Sequence, residues 1–141
     1  MALTVEFHTG VADDLAFTCR LLRKAYRQGA RVQVRAPSAR LARLDRELWT
    51  FAEREFIAHV RFAAGDRPAT AARAPIWLVD GEPLADGPPV LVNLGAPAPR
   101  QFDGLQRIIE VVGTDDAEAD RGRERWRAYR AAGLPVKHHA A

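Results

Sequence analysis

Short apolar runs alternate along the chain with longer stretches of helical periodicity. Residues 3–7 predict a first strand. A turn at residues 8–10 ends this strand, and the helix that follows extends to Arg27. Residues 31–35 predict a second strand with outward arginines and inward valines, because side chains alternate across a strand. This alternation of strands and helices is typical of an α/β domain with a largely parallel sheet.

Further elements follow the second strand. A helix that opens at Pro37 has a leucine stripe at helical spacing, formed by Leu41, Leu44 and Leu48. Residues 49–62 stay unassigned, because they mix aromatic and charged residues without a clear period. The remaining predicted elements are strands at residues 75–79, 90–94 and 107–112 and a last helix at residues 115–132.

The predicted elements belong to one domain, since 141 residues are enough for a single hydrophobic core. We expect residues 1–133 to form a three-layer α/β domain, with a mostly parallel sheet flanked by helices in a nucleotide-binding-like topology without a phosphate loop. Gly133 and Pro135 end the last helix. Residues 134–141 offer little to bury, so the sequence predicts a flexible C-terminal tail.

Composition indicates a soluble globular protein, with 48% hydrophobic and 28% charged residues. No apolar run approaches the length of about 18 residues that crosses a membrane, and the first residues do not resemble a secretory signal. The single cysteine, Cys19, has no partner for a disulfide within the chain. Together these features predict a protein of the reducing cytoplasm with no membrane contact.

The charge balance leaves a role in nucleic-acid binding open. The net charge is +3, but 19 of the 21 basic residues are arginines, a bias typical of GC-rich coding sequences. Residues 20–43 carry a basic stretch without acidic residues, and this stretch is the basis for an alternative function as a direct nucleic-acid-binding domain. Its members are Arg20, Arg23, Lys24, Arg27, Arg31, Arg35, Arg40 and Arg43.

The chain lacks the motifs of a nucleotide-binding enzyme. Neither a G-x-G-x-x-G fingerprint nor a G-x-x-x-x-G-K-[ST] loop occurs, and Asp13 and Asp14 would repel a phosphate from the first predicted helix. Histidines and cysteine are not spaced as metal ligands, and Cys19 falls on an apolar helix face. We therefore expect no catalytic residues, no metal and no cofactor.

Two features of the sequence indicate interaction surfaces. Trp49, Phe56 and Ile57 concentrate large apolar side chains around a helix end, where they form either ordinary core or a partner-binding patch. On the last helix, one face carries Arg123, Trp126, Arg127 and Arg130. Guanidinium groups beside an indole suit an acidic peptide that ends in an aromatic residue, or a phosphate backbone. A solvated basic face with the indole turned inward is the alternative.

Taken in order, these segments resemble the chi subunit family of the bacterial DNA polymerase III holoenzyme. The resemblance spans nearly the whole chain, and each motif is weak alone, whereas the ordered set is fairly specific. Ala58 and Ala119 depart from the family pattern, which has proline and lysine there. The motifs are Leu44-Asp45-x-x-Leu48-Trp49, Phe56-Ile57-x-His59, Pro75-Ile76-Trp77-Leu78, Leu91-Val92-Asn93-Leu94, Ile108-Ile109-Glu110-Val111-Val112 and Arg123-x-Arg125-Trp126-Arg127-x-Tyr129-Arg130-x-x-Gly133.

The resemblance implies a non-catalytic accessory subunit, with polymerase activity in other subunits. Such a protein connects the clamp loader, through the psi subunit, to the acidic C-terminal tail of single-stranded-DNA-binding protein. By position, Arg123 would bind the tail's terminal carboxylate, Arg127 would attract its aspartates and Trp126 would line an apolar pocket, with Arg130 adding charge. Trp49, Phe56 and Ile57 would form the psi interface, and contact with DNA would be mainly indirect.

Overall fold

Seven strands of the chain run in the same direction. The computed structural model describes residues 2–51 and 56–140, and these seven strands lie within that range. In chain order the strands are β1 (Thr4–Val11), β2 (Val32–Arg35), β3 (His59–Ala63), β4 (Ile76–Asp80), β5 (Val90–Asn93), β6 (Arg107–Gly113) and β7 (Val136–Ala140). They form one sheet in the order β3-β4-β2-β5-β6-β1-β7, and each neighbouring pair is parallel. The predicted α/β fold with a mostly parallel sheet is confirmed.

Helices cover both faces of this sheet. Within the described residues they are α1 (Asp14–Arg27), α2 (Ser38–Thr50), α3 (Asp116–Ala131) and a 3-10 turn at Ala69–Arg73. The helices α1 and α2 pack on one face, where the leucine stripe of α2 is fully buried as predicted. On the other face, α3 packs through Tyr129, and the 3-10 turn covers Trp77. The sheet is therefore the middle layer of three.

Because both faces are covered, the central strands expose few side chains. All four residues of β2 are buried, including Gln33 and Arg35. The prediction of outward arginines in this strand was therefore wrong for Arg35. The Arg35 guanidinium lies 2.9 Å from the carboxylate of Glu82, since a buried cation needs a counter-charge close by.

The turn predicted at residues 8–10 is a bulge within β1. Gly10 adopts a φ of +67°, and the pairing of β1 with β6 shifts between His8 and Val11. A bulge of this kind inserts a residue and bends the strand without ending it. As a result Thr9 and Gly10 stay in the sheet, at its carboxyl edge.

The chain beyond α3 returns to the sheet. A flexible tail was predicted at residues 134–141, whereas residues 136–140 pair with β1 from Val5 to Thr9. The strand β7 lies at the sheet edge and is largely exposed. Its side chains therefore lack the buried apolar alternation that would have predicted a strand, and backbone hydrogen bonds hold it in place.

The stretch that the sequence left unassigned contains β3, the strand at the opposite edge of the sheet. His59 and Phe62 are its buried residues. Residues 52–55 lie outside the described part of the chain.

We predict that Cys19 is chemically inert in the folded protein. Its side chain lies in the core beneath α1, and burial raises the pKa of the thiol from 9.0 to about 11. Only the thiolate reacts, so a pKa raised in this way lowers the reactive fraction at pH 8 roughly 100-fold. Maleimide labelling followed by mass spectrometry should be slow in buffer and fast in denaturing urea. Equal rates in both solutions would contradict the placement of Cys19 in the core.

Candidate functional site

A buried polar network fixes α3 to the sheet. The Nε of Arg125 donates to Oε1 of Glu110 over 2.8 Å. The Tyr129 hydroxyl and the Asn93 amide donate to Oε2 of the same carboxylate over 2.5 and 2.9 Å. None of the four residues is more than 4% exposed. Residues of α3, β5 and β6 thus share one carboxylate in the interior.

The surroundings of this network keep the hydroxyl of Tyr129 protonated. Burial raises the pKa of Glu110, while the neighbouring Arg125 and the hydrogen bonds from Tyr129 and Asn93 act in the opposite direction. Burial also raises the pKa of Tyr129, and the adjacent Glu110 adds to that effect. Tyr129 therefore stays protonated at neutral pH, and its hydroxyl donates a hydrogen bond to the Glu110 carboxylate.

A glycine lets α3 approach β6 closely. A Cβ atom at Gly122 would lie 3.1 Å from Cγ1 of Val112, closer than side chains normally pack. The start of the helix is set by Asp115, whose carboxylate accepts from the amide of Glu118 over 3.2 Å. Close packing and a defined start together fix which side chains α3 presents along its flank.

Along that flank a groove of about 610 Å³ opens at the carboxyl ends of β1 and β6. Phe7 and Val112, both almost fully buried, form its base. The indole of Trp126 packs on Phe7, with ring centroids 5.1 Å apart. Arg123 and Arg127 project from α3 at the rim and are exposed to solvent. The groove combines an apolar interior with cationic groups at its edge.

The structure brings together three of the four residues that the sequence placed on the face of the last helix. Arg123, Trp126 and Arg127 line the groove, whereas Arg130 is exposed and is not among its lining residues. Arg130 points to a similar side of the helix but lies roughly 6 Å further along the axis than Trp126. Arg130 therefore lies beyond the end of the groove that Arg123 and Arg127 line.

Among the described residues, the guanidinium of Arg123 forms a weak ion pair. Its Nη2 lies 2.8 Å from Oδ1 of Asp120, one turn earlier, and both side chains are more than 60% exposed. An ion pair so open to solvent contributes little, so a ligand carboxylate can replace Asp120 at small cost.

Sequence reasoning missed the wall that β7 adds to the groove. His138 lines the groove opposite α3, and its Nε2 lies 2.6 Å from the hydroxyl of Thr9. The signal available was the alternation in Val136, Lys137 and His138, but it is too short and too polar to distinguish from a tail.

The predicted aromatic patch is present at the other side of the molecule. Trp49 and Phe56 are 56% and 64% exposed, and their ring centroids lie 5.6 Å apart. Beneath Trp49 lies His59, whose Nε2 is 3.0 Å from Oδ1 of Asp45. Ile57, by contrast, is 1% exposed and packs in the core, so it supports the patch from below and does not present itself to a partner.

The position where related folds bind a phosphate is filled by a side chain of the protein itself. Arg40, in the first turn of α2, forms an ion pair with Asp14 at the start of α1. It also donates to Oε1 of Glu118 over 3.0 Å and to the carbonyl of Leu94 over 3.2 Å. A guanidinium and two carboxylates thus occupy the carboxyl edge of the sheet, which nucleotide-binding folds leave open for anions.

The basic stretch at residues 20–43 is divided by the fold. Arg35 and Arg40 are held in the ion pairs described above. Arg31 stacks over the ring of Trp77, 5.5 Å from its centroid. The members that remain exposed lie on α1, on α2 and in the loop before β2.

Two classes of site receive no support from the described residues. Within residues 2–51 and 56–140, His, Cys, Asp and Glu side chains nowhere form a group of three that could hold a metal ion. In the same ranges, each helix is too short or too polar to cross a lipid bilayer.

Taken together, the structure defines a parallel α/β protein with a groove at one sheet edge and an exposed aromatic patch at the other. The family model described as DNA polymerase III chi subunit, HolC, matches residues 3–137. The chain is also 36% identical over 126 residues to DNA polymerase III subunit chi of Pseudomonas aeruginosa PAO1, an alignment that covers 89% of this chain and 84% of the relative. The chain belongs to the chi subunit family of DNA polymerase III, as its motifs predicted. Membership gives it an accessory role in DNA replication.

We predict that the isosteric change Glu110→Gln destabilises the protein by about 3–5 kcal/mol, because it leaves the Arg125 guanidinium buried without a counter-charge. Urea denaturation of both proteins measures the difference in the free energy of unfolding. In the double variant Glu110→Gln/Arg125→Met, much of the loss should be recovered, since the uncompensated charge is gone. Arg121→Ala, an exposed change on the same helix, is the control and should leave stability almost unchanged. A Glu110→Gln protein as stable as the native one would contradict the role of this pair.

Proposed function

We propose that this protein connects the clamp loader of DNA polymerase III to single-stranded-DNA-binding protein. In this proposal the groove beside α3 binds the acidic C-terminal tail of that protein, and the aromatic patch at Trp49 and Phe56 binds the psi subunit. The observation that carries the proposal is the apolar groove with Arg123 and Arg127 at its rim. Family membership supports the same role.

The chemistry of the groove fits a peptide that is acidic and ends in an apolar residue with a free carboxylate. Phe7, Val112 and Trp126 offer apolar and aromatic surface to the terminal side chain. The planar guanidinium of Arg123 can bind the terminal carboxylate with two parallel hydrogen bonds, and Arg127 adds positive charge for the preceding acidic residues. None of the described residues that line the groove is acidic, and the Asp120 carboxylate beside Arg123 is the like charge that an anionic peptide would displace.

The aromatic patch has the properties of a protein interface. Trp49 and Phe56 contact each other and are mostly exposed, while His59 and Asp45 support the indole from within the fold. Aromatic side chains that lie together on a firm base often contribute most of the binding free energy of an interface. An exposed pair of this kind also costs solubility in isolation, which favours a partner that covers it.

The distance between the two sites allows both partners to bind at once. The patch adjoins β3, the strand at one edge, and the groove lies at β1 and β7, at the other edge. Five strand spacings separate β3 from β1, which places the sites roughly 24 Å apart across the sheet. Because single-stranded-DNA-binding protein offers several tails, repeated contacts of modest affinity would keep the polymerase near its template.

We predict that Arg123→Ala weakens binding of a tail peptide by about 1.5–3 kcal/mol, the usual cost of losing a hydrogen bond with a charged group. Isothermal titration calorimetry with a synthetic acidic peptide ending in phenylalanine measures the change. Arg121→Ala, on the same helix but away from the groove, should bind as the native protein does. A peptide with an amidated terminus should lose affinity for the native protein. Unchanged affinity of Arg123→Ala would remove the groove as the tail site.

We predict that Trp49→Ala abolishes most of the binding to psi and leaves binding of the tail peptide intact. A central aromatic residue of an interface contributes about 2 kcal/mol or more. Trp49 is 56% exposed, so its removal should cost the fold little stability. Co-purification with psi and the peptide titration together measure both effects, with Arg123→Ala as the reciprocal control. Retention of psi by Trp49→Ala at native affinity would contradict the assignment.

A further inference from the structure

The edge strand β7 places one histidine in the groove and the next one on the other side of the sheet. In the pairing with β1, His138 lies opposite Phe7 and His139 opposite His8. Because side chains alternate along a strand, these two histidines point to opposite faces. His138 lies on the face of α3, where it lines the groove. His139 stacks on His8 on the face of α1, with ring centroids 4.9 Å apart.

Two contacts hold the imidazole of His138 in position. Its Nε2 lies 2.6 Å from the hydroxyl of Thr9 in β1. Its ring meets the indole of Trp126 edge to face, with centroids 5.9 Å apart and an interplanar angle of 85°. The imidazole therefore connects the strand wall of the groove to the aromatic ring on the helix wall. When the hydroxyl donates to Nε2, the ring proton stays on Nδ1, which is then the donor of the ring.

The polar groups of the groove are arranged on two walls. Arg123 and Arg127 come from α3, and His138 comes from β7, while the groove between them has an apolar base. The lining contains no carboxylate within the described residues, so all its charged or chargeable groups favour an anion. An extended acidic peptide in the groove thus meets donors from both sides, and a peptide that bound α3 alone would leave the strand wall unused.

We propose that His138 is a binding residue for the acidic segment of the tail peptide, to which it donates a hydrogen bond from the β7 wall. This inference rests on the proposed function of the groove. In this role β7 is the second wall of the binding site, and the carboxylates next to the peptide's terminal residue lie between the arginines and the imidazole.

The test compares His138→Ala with the matched variant His139→Ala in the full-length protein. Fluorescence anisotropy with a labelled acidic peptide ending in phenylalanine should show roughly tenfold weaker binding for His138→Ala, the size of one hydrogen bond with a charged partner. His139→Ala removes the same ring from the same strand on the opposite face and should bind normally. His138→Gln keeps an N–H donor of similar reach and should recover part of the affinity.

A second peptide distinguishes ligand contact from a general loosening of β7. In this peptide the acidic residues are replaced by their amides, while the terminal residue and its carboxylate are kept. His138→Ala should lose less affinity for this amide peptide than for the acidic one, because the carboxylate partner of the imidazole is gone. Equal loss for both peptides, or equal loss in His139→Ala, would show that the strand matters only for structure and would overturn the inference.

The failure of this inference differs from the failure of the proposed function. If Arg123→Ala loses most of its affinity for the tail peptide while His138→Ala keeps the native affinity, the role of His138 is overturned and the groove remains the tail site. Native binding in Arg123→Ala would overturn both.

Discussion

The groove depends on the buried pair of Arg125 and Glu110. Once Arg125 points into the interior, the positions two residues before and after it must point away from the core, since neighbouring residues on a helix are 100° apart. Those positions are Arg123 and Arg127, and Trp126 lies between the two directions, at the border of core and groove. A buried ion pair contributes little net stability, but it selects one rotation of the helix, because every other rotation leaves a buried charge unpaired.

The same pair shows what the sequence could predict and what it could not. The helical periodicity predicted the bounds of α3 to within one residue. The leucine spacing of α2 predicted the buried face of that helix correctly. The direction of Arg125 was not predictable from that period, because arginine is seldom buried and this chain has many arginines. A usable signal was Glu110, a lone charge within an apolar strand, which requires a cation or donors from a packed neighbour.

Edges of the sheet were the least predictable parts of the fold for a related reason. Central strands such as β4 and β6 are apolar along most of their length, since helices cover them on both faces. The edge strand β7 is held by backbone hydrogen bonds with β1, and backbone bonding leaves no trace in the choice of side chains. The helical periodicity of the sequence therefore predicts one wall of the groove, α3. The other wall, β7, is known only from the structure.

The ion pairs at the carboxyl edge occupy the region where nucleotide-binding folds bind a phosphate. Arg40 joins the starts of α1 and α3 through Asp14 and Glu118, so the helix ends that would otherwise attract a phosphate are neutralised from within. The groove lies beside α3, at the sheet edge. The helix α3 is anchored to Glu110 of β6, an interior strand bonded on both sides. Under the proposed function, load on a bound tail would pass through α3 into the body of the sheet, while the exposed edge strand β7 contributes His138 to the groove.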